Sequence, residues 1–219
     1  MLGDVSFSVA TGQIAAIIGK NGCGKSTLLS IVAGLLRPDD GRVLLSGEDP
    51  FAQPALRRKI GYLAQGDCLF EELSVGDNLR FWASAAGLSR EAVRTGPYPE
   101  LLGLCDFWQK RVCDLSGGMR RRVAICAALL SDPLYILLDE PFTGLDLVYR
   151  QELSSFLLAM KGLGKTLLYT THSPEELASL SDVALLLSDG RIARCEDTKS
   201  IKQADLQAVF LSYLKGEHN

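Results

Sequence analysis

An α/β fold is expected for this chain of 219 residues, with a mainly parallel sheet flanked by helices and a helical insertion within it. Three features of the sequence point there. Short apolar runs recur at Ile14–Ile18, Leu134–Leu138 and Val183–Leu187, as strands covered on both faces require. Helix-patterned stretches alternate with them, which favours parallel pairing through crossovers. From about Leu73 to Leu130 the pattern is helical and largely strand-free.

Taken in order, Val5, Phe7 and Val9 alternate with Ser6 and Ser8, the period of a half-buried strand. Ile14–Ile18 is a buried strand, followed by a Gly-rich turn and a helical stretch to Gly34, placed as its C-terminal cap. Arg42–Leu45 and Ile60–Ala64 read as further strands. Ser74-Val75-Gly76-Asp77 resembles a capping box ahead of Leu79, Phe81, Trp82 and Ala85, and Gly96-Pro97-Tyr98-Pro99 breaks the helical region. Strands return at Leu134–Leu138, Thr166–Thr170 and Val183–Leu187, with a helix over Leu153–Met160 between the first two. Asp189-Gly190 ahead of Arg191-Ile192-Ala193 predicts a hairpin, a small antiparallel portion of the sheet. The tail Lys199–Asn219 looks helical. No internal repeat or flexible linker divides the chain, so 1–219 reads as one domain. Its core is 1–65 and about 131–219, with a helical subdomain over about 66–130.

Composition narrows the function classes. Apolar residues make up 47% and charged residues 22%, too apolar for a disordered chain. With 23 Lys+Arg against 26 Asp+Glu, the net charge of −3 provides no basic footprint for nucleic acid. The apolar runs are too short to span a bilayer, and the start lacks the pattern of a signal peptide, so a soluble, cytoplasmic protein without direct membrane insertion is expected. Six cysteines at irregular spacing suggest free thiols, and only two histidines, His172 and His218, make a Cys/His zinc site improbable.

Gly19-Lys20-Asn21-Gly22-Cys23-Gly24-Lys25-Ser26 matches the phosphate-loop pattern G-x-x-x-x-G-K-[ST] between a buried strand and a helix. Backbone N–H groups of such a loop converge on phosphate oxygens, and the helix aims its positive end at the same point. Lys25 is placed for the β- and γ-phosphates, Ser26 for Mg²⁺ and Thr27 for the α-phosphate, while Lys20 is more simply a solvated loop charge. Phosphoryl transfer also needs carboxylates. Asp139 and Glu140 follow the apolar run Leu134–Leu138, at the end where parallel sheets bind ligands. Asp139 suits the metal shell and Glu140 suits a general base.

Leu115-Ser116-Gly117-Gly118-Met119 precedes Asp139-Glu140-Pro141 by twenty residues, then come Gly144-Leu145-Asp146 and His172. This ordered set, together with the phosphate loop, resembles the nucleotide-binding subunits of ATP-binding cassette (ABC) transporters over nearly the whole chain. The resemblance implies a P-loop NTPase core that binds and hydrolyses ATP with Mg²⁺. It implies that Gln65 joins the metal, that Ser116, Gly117 and Gly118 close over ATP held by the opposite subunit, that Asp146 couples the two sites, and that His172 contacts the γ-phosphate. It also implies a head-to-tail dimer with a second copy or a homologous ATPase subunit, driving integral membrane permease subunits docked near Gln65 and the apolar surface of Leu69-Phe70 and Phe81-Trp82. The protein would then sit peripherally on the inner face of the cell membrane.

Met119 with Arg120-Arg121-Arg122 is similar to a branch containing exporters, which leans the expectation weakly to export. The basic triplet itself reads as a solvated helix face. Relatives usually carry an earlier strand and an aromatic residue that stacks on adenine, and neither precedes Val5 here. Two alternatives share the motifs: a non-transport ABC ATPase of DNA repair or translation, and a weakly catalytic nucleotide-binding module.

Overall fold

A computed structural model of the protein describes residues 2–91 and 93–198, and Ala208. The helical reading of the tail Lys199–Asn219 falls, Ala208 apart, outside the described residues. Strand β1 (Ile14–Ile18) leads into helix α1 (Lys25–Val32), and the short α2 (Pro54–Arg57) precedes β2 (Ile60–Leu63). Helices α3 (Val75–Ala85), α4 (Pro97–Leu101) and α5 (Gly117–Leu129) come next, with 3₁₀ turns at Cys105–Phe107 and Val112–Asp114. Then β3 (Tyr135–Leu138), α6 (Leu147–Gly162), β4 (Thr166–Thr171) and α7 (Pro174–Leu180) lead to the hairpin of β5 (Val183–Ser188) and β6 (Arg191–Asp197).

The six strands form one sheet in the order β2-β3-β4-β1-β5-β6. Every pairing is parallel except the β5–β6 hairpin. The alternation of side chains sorts the apolar runs onto two faces. Ile14, Ala16, Ile18, Ile136, Leu138, Leu167 and Tyr169 face a core completed by α3, α5, α6 and α7. Ala15, Ile17, Leu137, Leu168 and Leu185 face the other side, against Leu28 and Leu29 of α1. All five residues of β1 are wholly buried. Each fully buried Ile contributes about 1.5–3 kcal/mol, against about 1–2 kcal/mol per residue of backbone entropy. Burial, more than the weak strand preference of Ala15 and Ala16, therefore holds β1 in place.

Two expected strands do not form. Val5, Phe7 and Val9 pack half-buried against the cluster of Ala15 and Ile17, but among the described residues 5–9 join no ladder. Alternation secures burial, whereas a strand also needs a neighbour's N–H and C=O rows, and among the described residues no strand pairs with 5–9. Arg42–Leu45 is reduced to a single bridge, Leu45 to Glu48, closing a turn with Ser46 at φ 50. The other elements lie where the patterns put them, with ends shifted by a residue or two. The exceptions are β6, which runs four residues beyond Ala193, and α6, which starts six residues before Leu153 because Asp146 caps it, accepting the Tyr149 N–H at 3.0 Å.

Ser74 caps α3 as its motif requires, accepting the Asp77 N–H at 3.1 Å and donating to Asp77 Oδ2 at 2.6 Å. Buried Asn78 then stitches the preceding loop to this helix, accepting the Phe70 N–H at 2.8 Å and donating to Phe70 O at 3.0 Å. At the end of α1, Ala33 is the cap and Gly34 follows at φ 72.

Register brings the strand ends together. Ile18 pairs with Thr171, Leu138 with Tyr169, and Leu63 with Leu138. Gly19, Gln65, Asp139 and His172 therefore leave the sheet side by side at its C-terminal edge. Among the described residues, no helix is long and apolar enough to cross a membrane, and no disulfide joins the six cysteines.

Candidate functional site

The phosphate loop turns directly from β1 into α1. Gly24 is the residue ahead of the helix and sits at φ 108, a conformation that only glycine adopts without strain. The first backbone bond of α1 is Leu28 N–H to Gly24 O at 2.9 Å. The N–H groups of Lys25, Ser26 and Thr27 thus belong to the helix end that has no intrahelical acceptor and attracts anions. Lys25 is buried, and its ammonium donates to Gly19 O at 2.8 Å and Lys20 O at 3.1 Å. Lys20, Asn21, Gly22, Ser26 and Thr27 are exposed, and Cys23 is half-buried with its N–H on Lys20 O.

The carboxylates occupy the next strand but one. Asp139 is buried, and its Oδ1 accepts the Thr170 hydroxyl at 2.5 Å. Its Oδ2 is buried with no partner among the described residues. An orphaned buried carboxylate oxygen is costly unless another group satisfies it. Hard oxygen donors of this kind suit Mg²⁺, so the residues fit the metal. Glu140 stands in the left-handed region at φ 47, uncommon for a residue other than glycine. Its N–H donates to Thr170 Oγ1 at 2.8 Å, and its Oε2 accepts from Thr143 Oγ1 at 3.1 Å.

His172 is exposed just beyond β4 and lines a cavity of about 130 Å³ together with Glu140, Thr143, Gly144, Arg150 and Glu176. Burial pushes the Glu176 carboxyl above its usual range, although Thr171, Arg150 and His172 pull it down. Gln65 is exposed at the end of β2. Register thus gathers the phosphate loop, Gln65, Asp139, Glu140 and His172 on one edge.

The signature segment begins α5. Ser116 caps α5, accepting the Met119 N–H at 3.3 Å. Gly117 is exposed, and a Cβ there would find only Gly144 O, at 3.9 Å. Gly118 is buried, and a Cβ there would press to 2.7 Å from the Tyr149 ring. The second glycine therefore serves packing within the chain. Among the described residues, no hydrogen bond or ion pair joins Ser116–Gly118 to residues 19–27. Asp146 is exposed, and its carboxylate is engaged as the α6 cap.

The solvated reading of the basic triplet is corrected. Arg121 is buried and reaches the main chain of Asp139, Glu140 and Pro141. Arg120 pairs with Glu71 at 2.9 Å and with Asp67 at 3.4 Å. Arg122 binds Glu152 and stacks 4.3 Å from the Tyr149 ring centre. One signal was present for Arg121: it shares the helix face of Gly118, three residues before it, and Ile125, four residues after it. Thr170 was also missed, hidden inside a strand run where a hydroxyl carries no pattern.

The family model described as ABC transporter matches residues 2–143, and one described as AAA domain, putative AbiEii toxin, Type IV TA system, matches residues 112–178. The ABC transporter ATP-binding protein NatA of Bacillus subtilis (strain 168) is 34% identical over 96% of this chain and 89% of its own. The sulfate/thiosulfate import ATP-binding protein CysA of Gloeobacter violaceus is 34% identical over 96% of this chain and 62% of its own. The weak lean to export drawn from Met119 finds no support in such relatives. A dimeric ATP-binding cassette in a post-hydrolysis state, bound to ADP and Pi, superposes with a TM-score of 0.78, at 27% identity over 90% of both chains. The cbiO1 subunit from Clostridium perfringens, part of the ABC transporter complex cbiONQ, gives 0.81 at 28% identity, over 98% of this chain and 88% of that one.

Proposed function

Because this chain belongs to the ABC transporter family, as one of its ATP-binding, ATP-hydrolysing subunits, we propose that two such subunits close head to tail around two Mg-ATP and so power movement of a substrate by separate membrane subunits. The observation that carries this reading is the shared edge on which the phosphate loop, Gln65, Asp139, Glu140 and His172 meet, while among the described residues Ser116–Gly118 make no bond to that loop. One chain holds a nearly complete site and presents the missing piece to another.

In that site the N–H groups of Gly22 and of Gly24 to Thr27 cradle the phosphates, and Lys25 exchanges its two loop carbonyls for β- and γ-phosphate oxygens. Ser26, Gln65 and Asp139 would hold Mg²⁺, which when bound neutralises phosphate charge. Glu140 Oε1, free of the Thr143 contact, takes the proton of the attacking water. His172 donates to the γ-phosphate. The partner's exposed signature backbone covers the same phosphate, with its α5 N-terminus directed at the charge. Asp146 stands at the α6 cap where the two sites communicate.

Residues 1–65 and about 131–219 form the nucleotide-binding core in this reading, and about 66–130 the helical subdomain. Phe70 and Phe81 are exposed beside the Gln65 loop with rings 4.6 Å apart, an aromatic surface suited to a permease helix. Contact there would place the protein peripherally at the inner face of the cell membrane.

The test is Glu140→Gln. ATP turnover is expected to fall about 100-fold or more, while ATP binding and ATP-dependent dimerisation persist. Turnover equal to the unaltered protein would remove the general-base role.

A further inference from the structure

We infer that Arg121 is a positioning residue for Glu140, holding the main chain of residues 139–141 from the signature helix and tying it through Asp67 to the loop that follows Gln65. The inference rests on the reading of Glu140 as general base. Its substance is the unusual use of one guanidinium. Nη2 donates to Asp139 O at 2.7 Å and to Glu140 O at 2.8 Å, and Nε donates to Pro141 O at 3.2 Å. The remaining Nη1 lies 3.6 Å from Asp67 Oδ1. Three successive carbonyls of the loop thus end on one side chain.

The loop needs that hold. Glu140 sits at φ 47, a conformation that persists only where the surroundings over-determine it. Pro141 has no N–H, so the peptide between Glu140 and Pro141 can be anchored only through its carbonyl, and Arg121 is the donor there. The peptide on the other side of Glu140 is gripped at both ends, its N–H by Thr170 and its carbonyl by Arg121. The carboxylate therefore projects from a Cα fixed between two anchored peptides.

A buried cation is a costly way to fill space, and an apolar side chain would pack there at lower cost. Burial lowers the Arg121 pKa, and the charges of Asp67, Asp139 and Glu140 oppose that shift. The planar fork is the property in use, since only a guanidinium reaches several carbonyls in fixed directions. Arg121 also lies three residues beyond Gly118, in the helix whose N-terminus is the signature. A shift of α5 or of the Asp67 loop would be transmitted directly to the backbone of Glu140.

Arg121→Lys tests this, because the charge remains and the fork is lost. With the purified chain, kcat for Mg-ATP hydrolysis is expected to fall about tenfold or more, while KM and fluorescent-nucleotide affinity stay within about threefold. In single-turnover assays on the Glu140→Gln background, adding Arg121→Lys should cost nothing further, because the group being positioned is gone. An unchanged kcat, a parallel loss of nucleotide affinity, or a cost that multiplies with Glu140→Gln would each overturn the inference. Should Arg121→Lys not fold by thermal melting, Asp67→Asn loosens the same guanidinium. It is expected to lower kcat about twofold to threefold at constant KM, and an unchanged kcat would equally overturn the inference. Wild-type turnover in Glu140→Gln alone would overturn the base reading, and the inference with it. An inactive Glu140→Gln beside a fully active Arg121→Lys would overturn the inference only.

Discussion

Thr170 donates its hydroxyl proton to Asp139 Oδ1 at 2.5 Å, and its own Oγ1 accepts the Glu140 N–H at 2.8 Å. One side chain of β4 thus orients the carboxylate proposed for the metal and the backbone of the proposed base. It is possible because parallel pairing of β3 and β4 sets Leu138 beside Tyr169, bringing Thr170 level with Asp139. Thr170→Val keeps the shape and removes the hydroxyl. An unpaired buried partner costs about 1–3 kcal/mol, so a lower melting temperature is expected. ATPase kcat should fall about tenfold or more from misplacement of both carboxylates. Calorimetry and steady-state kinetics check the pair of effects, and an undiminished kcat would contradict them.

The two signature glycines should respond differently to alanine. Gly118→Ala forces a Cβ against the Tyr149 ring, which the Arg122 guanidinium covers. Overpacking of this kind costs about 1–3 kcal/mol. Gly117→Ala meets open space and should leave the melting temperature nearly unchanged, while impairing the close approach of the partner's ATP. Thermal melts combined with ATP-dependent dimerisation of the Glu140→Gln form separate the outcomes. Equal destabilisation by both would contradict the assignment.

Glu176 gives a signed dependence on pH. Burial raises its folded pKa above the ordinary 4.5, Glu175 adds to the rise, and Thr171, Arg150 and His172 oppose it. A raised carboxyl pKa means that the folded state binds the proton more tightly. Its contribution to stability is therefore fully present below 4.5 and lost as pH climbs through the folded value. Glu176→Gln removes that loss. The variant should melt like the unaltered protein near about pH 4 and at a higher temperature near about pH 7. Melting curves across that range check it, and a variant less stable at neutral pH would reverse the sign.

Much of this protein is legible one residue at a time. Ile14–Ile18 announces a buried strand because every side chain is apolar and short runs of that kind need cover on both faces. Gly19–Ser26 and Asp139-Glu140 announce the chemistry proposed for them, because phosphate binding and proton transfer call for groups of that kind at such places. The β5–β6 hairpin follows from Asp189-Gly190, since Asp189 takes φ 49 and Gly190 φ 76, the conformation that turn needs.

Other features depend on which parts of the chain become neighbours. Val5–Val9 has the alternation of a strand, yet ladder formation depends on a partner supplied from elsewhere in the fold. Arg121 looks like one member of a basic run, and only the packing of α5 against the loop after β3 turns it inward. Thr170 is an unremarked hydroxyl until the register of β3 on β4 sets it beside Asp139. Local pattern and motif decide what a segment can become, because propensity, burial period and donor chemistry are properties of neighbouring residues. Which side chain meets which across 18 to 31 residues of sequence is settled by strand order and helix packing, since hydrogen bonds form in space and carry no trace in the spacing of the chain.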